Sequence, residues 1–232
     1  MAPRVSVIVV EYNSGHRLAR CLDAVGTHDP SFEIVVVDNG EVPPELEQAA
    51  AGGRLTLVTP PANLGFAGGC NLGARVASGE VLVFLNPDTV VVPGALERLV
   101  EALDDPSVGI AMARLRLLDQ PQLLQSAGTV VHVSGLGWSD QFGESAESLV
   151  DVADVATPCG AAMALRAETF AELGGFHDEF FLYQEDVQLG WRAHMQGRRV
   201  VIVPQADVYT TTTSSGIRTS ATSWSATASP FS

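Results

Sequence analysis

Val5-Ser6-Val7-Ile8-Val9-Val10-Glu11-Tyr12-Asn13 is a β-rich apolar run that ends abruptly in three polar residues. A run of this length without strict polar alternation fits a strand buried on both faces. Immediately downstream, residues 16–25 set Leu18, Cys21, Leu22 and Val25 at i, i+3, i+4 and i+7, one face of a helix. The same alternation then repeats. Residues 33–37, 55–58 and 81–85 read as further strands, and residues 44–51, 68–77 and 94–103 as helices between them. Continuous apolar strands separated by amphipathic helices predict an α/β fold with a mostly parallel central sheet covered on both faces.

In such sheets ligands sit beyond the carboxyl ends of the strands, so the residues after each run are where chemistry is sought. The first run exits into Glu11-Tyr12-Asn13, the second into Asp38-Asn39-Gly40 and the fourth into Asn86-Pro87-Asp88. Asn, Asp and Gly also make ordinary turns. Three such clusters on one edge are equally what an anionic cofactor requires. Asp88 suits a hard divalent cation, which takes one or two carboxylates and fills its shell with phosphate oxygens and water. The competing reading is a type I turn whose Asp caps the next helix. Asn63-Leu64-Gly65-Phe66-Ala67-Gly68-Gly69-Cys70-Asn71 is a Gly-rich loop entering a helix, a place that favours phosphate. Its glycines lack the GxGxxG spacing and follow the third strand, which argues against a dinucleotide-dependent oxidoreductase.

The second half is less regular. Residues 107–113 and 129–133 read as strands, 138–151 as a loop able to cover a site, and 157–165 as a strand of small residues. Residues 166–173 form a helix stopped by Gly174-Gly175. Phe176, Phe180, Phe181, Leu182 and Tyr183 then build an apolar wall beside Glu185-Asp186, which open a helix over 187–196 before a strand at 200–204. Acidic residues at a helix N-terminus answer the macrodipole. A carboxylate against such a wall can also act as a general base on an attacking hydroxyl. His132 reads as a strand residue, His194 as an exposed helix position, Cys159 as a small core residue and Trp191 as packing on the apolar face of its helix. In residues 210–232, 14 of 23 are Ser or Thr and only Arg218 is charged, so this stretch reads as a disordered tail outside the domain.

Composition narrows the function. The 232 residues carry 27 acidic against 13 basic side chains, a net charge of −14, a poor match for nucleic acid. Every basic residue is Arg, which removes Schiff-base chemistry and the Walker lysine. Cys21, Cys70 and Cys159 are odd in number and far apart, against a zinc site or a disulfide scaffold and in favour of a reducing compartment. No stretch is apolar enough for a transmembrane segment, and the expected location is cytoplasmic.

Taken in order, residues 5–13, Val36-Val37-Asp38-Asn39, residues 63–71, Leu85-Asn86-Pro87-Asp88 and the run from Gly174 to Asp186 resemble family 2 glycosyltransferases, with the closest look to the bacterial rhamnosyltransferase-like branch. The resemblance spans residues 5–209. It implies a single GT-A-like domain over 1–209 with a Rossmann-like sheet, a nucleotide-binding half (about 1–105) and an acceptor-binding half (about 106–209). It also implies a dTDP- or UDP-linked sugar donor, a divalent metal (Mg²⁺ or Mn²⁺), inversion at the anomeric carbon, and a glycan or lipid-linked acceptor met at the inner face of a membrane. Carried over by position, Tyr12 and Asp38 contact the nucleoside, and Asn63, Gly65 and Asn71 line the donor pocket. Asn86 stands where the D-x-D motif has its first Asp, Asp88 binds the metal, and Asp186 is the base, supported by Glu185 and Arg192.

The resemblance fails at the C-terminus, where members place a His that often completes the metal shell. No His follows Tyr209 here. A neighbouring frame of a plausible coding for residues 210–215 encodes His-His-Tyr-Glu-Phe, so the expectation is a reading-frame slip or truncation after Tyr209. The alternative function is a nucleotide-sugar-binding protein whose catalysis is impaired by that loss.

Overall fold

A computed structural model of the chain describes residues 4–28, 30–132, 137–177 and 179–211. Of the sequence readings, Val133 at the end of one strand and residues 212–232 of the tail lie outside the described residues.

The first half forms β1 (Val5–Glu11), α1 (His16–Val25), β2 (Glu33–Asp38), α2 (Pro44–Ala51), β3 (Thr56–Val58), α3 (Gly65–Val76), β4 (Val81–Leu85), β5 (Thr89–Val91) and α4 (Ala95–Ala102). β1 is buried along its whole length and pairs in parallel with β2 on one side and β4 on the other; β3 extends β2 in parallel. The second half contributes β6 (Val108–Leu117), β7 (Leu124–Ser126), β8 (Thr129–Val131), β9 (Gly137–Ser139), a 3₁₀ turn at Ala146–Ser148, β10 (Ala153–Asp154), β11 (Ala162–Arg166), α5 (Ala167–Glu172), α6 (Glu185–Met195) and β12 (Arg199–Thr210).

The central sheet is mixed, in the order β10-β12-β6-β11-β4-β1-β2-β3. β11 lies antiparallel between β4 and β6, and β12 runs parallel to β6. The carboxyl ends of β1, β2, β4, β6 and β12 therefore share one edge.

Packing follows from which face each strand residue takes. Val5, Val7 and Val9 meet Leu18 and Cys21 of α1 and Leu96 and Leu99 of α4. Ile8 and Val10 face the opposite layer with Ala67 and Cys70 of α3 and Leu189 of α6. That second layer is closed by Phe84, Phe170 and Phe176, whose ring centroids lie 5.0–5.4 Å apart in tilted and edge-on arrangements. α3 lies close on β1 because a Cβ at Gly73 would stand 2.5 Å from Ile8 Cγ2. Glycine here serves close packing of helix on strand.

Several boundaries differ from the sequence reading. α3 starts at Gly65, three residues early, because its first turn is anchored from outside by Phe66 N–H donating to Phe181 O at 2.8 Å. The strand read at 157–165 begins only at Ala162. β12 continues past Pro204, which sits within a register shift between Val203 and Asp207 where the ladder needs no donor from it. The strand ends at Thr210, one residue into the stretch read as tail. Trp191 does not pack on the apolar face of its helix as expected; it is 50% exposed, because Val187, Leu189, Gly190 and Ala193 form the buried face.

Candidate active site

Strand order fixes the order of functional groups along the shared edge. Glu11 and Asp38 are register partners at the ends of β1 and β2, and Asn86 and Asp88 follow β4 next door. Asp38 is buried; its Oδ1 accepts from Gly40 N–H at 2.7 Å and its Oδ2 has no partner among the described residues. Glu11, also buried, accepts from Ser14 N–H at the start of α1, and its Oε2 is likewise unpaired. Tyr12 is exposed on the same turn, free to lie along a ligand.

The Gly-rich loop is tied to this edge by side-chain amides. Asn39 donates to Gly65 O at 3.0 Å and accepts from Leu64 N–H at 3.1 Å, while Asn63 Oδ1 accepts from Gly65 N–H at 2.8 Å. Gly65 has φ +70°, and a Cβ there would fall on Phe181 O, well inside van der Waals contact. Gly65→Ala is therefore expected to break the contact between this loop and residues 180–184. The cost should be about 2 kcal/mol of stability from left-handed strain and a lost hydrogen bond, read as a lowered urea midpoint. An unchanged midpoint would refute this role.

Asn71 is engaged on both edges of its amide by Phe176, donating to its O at 2.8 Å and accepting from its N–H at 2.9 Å. Arg192 donates to Leu173 O and to Gly175 O, the latter at 2.6 Å. These two residues lock the turn that carries the apolar wall. The Arg192 guanidinium is thus committed to backbone carbonyls beneath the site, and its burial lowers its pKa.

α6 opens on two residues with positive φ, Tyr183 and Gln184, which turn the chain sharply and leave Phe181, Leu182 and Tyr183 exposed. Asp186 sits just inside the helix. Its Oδ2 accepts from Gly160 N–H and its Oδ1 from Val187 N–H, both at 2.8 Å. Burial pushes its carboxyl above the ordinary value, against the opposing pull of those two donors. Glu185 points inward instead. It is buried, its Oε2 has no partner among the described residues, and burial, reinforced by the Asp186 charge, raises its pKa to about 7.

The thiols are not nucleophiles. Burial pushes Cys21 and Cys159 up to about 12 and raises Cys70 well above its ordinary value, so no thiolate is available near neutrality. His194, exposed as expected, meets the backbone of Ala156 at 2.9 Å.

At the third strand end, Asn86 is a backbone hub: its N–H donates to Ala161 O at 2.9 Å and its O accepts from the Thr89 hydroxyl at 2.7 Å. Asp88 is partly exposed, and its Oδ2 accepts from Thr211 Oγ1 at 2.9 Å. Among the described residues no three His, Cys, Asp or Glu side chains gather closely enough to hold an ion by themselves. One accessible carboxylate beside a hydroxyl is a hard-oxygen set. It fits a cation of the Mg²⁺ or Mn²⁺ kind that takes most of its shell from phosphate and water.

Sequence reasoning missed Gly160 and Thr211, which act through a backbone N–H and through long-range strand pairing that no local pattern encodes. Asn39 and Phe181 stood within the strand-end cluster and the apolar wall, but their contacts with the Gly-rich loop were not legible there. No helix among the described residues is long and apolar enough to cross a membrane.

The chain is similar to several known proteins. The O-antigen biosynthesis protein RfbC of Myxococcus xanthus is 34% identical over 220 residues, which cover 88% of this chain and 17% of that protein. An uncharacterised glycosyltransferase of Nostoc is 30% identical over 155 residues, 58% of this chain and 47% of that one. Among solved structures, GalNAc-T7 with UDP, GalNAc and Mn²⁺ superposes with a TM-score of 0.78 at 19% identity over 91% of this chain and 44% of that one. The mannosyltransferase PcManGT of Pyrobaculum calidifontis with GDP-Man and Mn²⁺ gives 0.68 at 23% identity, over 93% and 59%. These two establish a shared GT-A fold. The chain spans less than two thirds of the length of each of these four proteins. Residues 6–174 match the family described as glycosyl transferase family 2, and with the α/β sheet and its acidic edge in place, the chain belongs to that family.

Proposed function

We propose that this domain transfers a hexose, rhamnose by its sequence resemblance, from a dTDP- or UDP-linked donor to a hydroxyl of a glycan or lipid-linked acceptor, inverting the anomeric carbon. The observation that carries the reading is Asp186, a carboxylate of raised pKa fixed by two backbone donors beside an exposed apolar wall. In this reading the acceptor oxygen attacks the anomeric carbon as Asp186 takes its proton, and the bond to the nucleoside diphosphate breaks with inversion. Tyr12 and Asp38 hold the nucleoside, while Asn63, Gly65 and Asn86 shape the donor pocket. Asn71, Arg192 and Glu185 brace the elements that carry Asp186. Asp88 holds the divalent cation, which when bound offsets the charge on the departing diphosphate. The enzyme acts in the cytoplasm, peripherally at the inner face of a membrane when its acceptor is lipid-linked. The relatives support a nucleotide-sugar donor: one acts in O-antigen biosynthesis by its name, and two solved neighbours carry UDP or GDP-Man with Mn²⁺.

The test is calorimetric titration of dTDP and UDP into the chain with Mn²⁺ or Mg²⁺, then with EDTA. Asp88→Ala is expected to lower the metal-dependent affinity by about 10–100-fold, the scale on which groups around a bound metal act. A second reading, nucleotide-sugar binding without turnover, is favoured by one observation: none of residues 210–232 is the His that the family resemblance places after β12. It predicts nucleotide binding that EDTA leaves unchanged.

A further inference from the structure

Asp88 and Thr211 are cross-strand neighbours. β5 and β12 run antiparallel with Val90 opposite Tyr209 and Thr89 opposite Thr210, so the next step of the ladder faces Asp88 with Thr211. Directly opposed residues keep their side chains on one side of a sheet, and here Thr211 Oγ1 reaches Asp88 Oδ2 at 2.9 Å. The end of β12 is held from its other side as well. Thr210 is opposite Leu117 of β6, and Leu118 N–H donates to Thr210 O at 2.9 Å. Two ladders thus place the Thr211 hydroxyl on Asp88, although residue 211 lies in a stretch whose composition reads as tail.

We propose that the Thr211 hydroxyl is the second protein ligand of the cation held by Asp88; this rests on the metal role given to Asp88 above. Three features carry the proposal. An aliphatic hydroxyl is a hard oxygen donor of the kind small divalent cations accept. An octahedral cation with oxygens at about 2.0–2.1 Å sets adjacent ligand oxygens roughly 3 Å apart, and the observed separation already matches, so the pair can accept the ion without moving apart. The hydroxyl only turns its proton away from Asp88 and presents a lone pair. Finally, Asp88 belongs to no group of three His, Cys, Asp or Glu side chains able to hold an ion among the described residues. A neutral oxygen ligand completes the protein's share of the shell without adding charge, leaving the other positions to phosphate and water.

The experiment measures Mn²⁺ affinity of the whole chain in the presence of UDP, by calorimetry and by the electron spin resonance signal of free Mn²⁺. Thr211→Val, which keeps the shape and removes the oxygen, is expected to weaken Mn²⁺ about tenfold, whereas Thr211→Ser retains wild-type affinity. An unchanged thermal midpoint in both variants confirms that the strand end is intact. If Asp88→Ala loses Mn²⁺ but Thr211→Val binds it as tightly as wild type, the hydroxyl is only a hydrogen-bond partner and the proposal falls. If Thr211→Val binds more tightly, the hydroxyl competes with the ion and the proposal falls equally. Were Asp88→Ala to leave Mn²⁺ binding untouched, the metal role of Asp88 would fall first, and this proposal with it.

Discussion

Asp186→Asn is expected to lower the rate of sugar transfer by about 10²–10⁴-fold, the range contributed by a positioned general base, and to leave nucleotide affinity unchanged. The substitution is nearly isosteric. The Asn amide oxygen can still accept from Val187 or Gly160 N–H, so α6 keeps its start and the fold survives. What disappears is the ability to take a proton. The pH dependence follows from the same burial. Asp186 works as the carboxylate, and burial raises its pKa, so the acid limb of the rate profile lies at higher pH than for a solvated Asp. Activity is then lost as pH falls through that raised value. Rates measured against pH with a turnover-supporting acceptor check both statements. A variant that keeps more than a tenth of wild-type turnover would remove Asp186 from the chemistry.

The sheet that positions this carboxylate was largely legible in the sequence, and the reason is local. Residues 5–10, 33–37 and 81–85 are apolar without interruption, and each gave the strand β1, β2 or β4 within a residue at either end. α1 was read to the residue because Leu18, Cys21, Leu22 and Val25 hold a strict helical spacing. Less regular parts owe their structure to partners far along the chain. β5 has three residues and exists because β12 pairs with it. α3 gains an extra turn from Phe181, more than a hundred residues away. The small residues 157–161 form no strand, since Gly160 N–H is spent on Asp186 and Thr157 bonds Thr129 O through its hydroxyl at 2.7 Å.

The candidate site divides the same way. Asp38, Asp88 and Asp186 announced themselves as polar residues at the ends of apolar elements. Asn71 and Arg192 were singled out by the family resemblance, yet their polar groups serve Phe176, Leu173 and Gly175. A motif marks that a residue matters to the site; only geometry distinguishes contact with the ligand from support of the loop beside it. Thr211 shows the converse, a residue in an unpromising stretch that strand pairing carries to the acidic edge.

Glu185 gives the largest expected effect on stability, and its sign is the unusual one for a carboxyl group. Its folded pKa of about 7 lies above the ordinary 4.5 because burial, and then the Asp186 charge, disfavour its ionised form. Below about pH 4.5 the group is neutral whether the chain is folded or not, and it costs nothing. As pH rises toward 7 the unfolded chain releases this proton while the folded chain retains it, so stability is progressively lost, by up to about 3 kcal/mol above pH 7. Glu185→Gln removes the titration and leaves a neutral side chain of the same size in the same place. The variant should therefore melt on the order of 5–10 °C above wild type at pH 8 and together with it at pH 4.5. Equal melting temperatures at both pH values would mean that Glu185 is solvated after all. With a pKa of about 7, Glu185 is about half protonated at pH 7 and so adds less than a full second charge beside Asp186 at the helix start. The Gln variant should accordingly retain sugar transfer at pH 7 while losing the stability slope, which separates the bracing role of Glu185 from the chemical role of its neighbour.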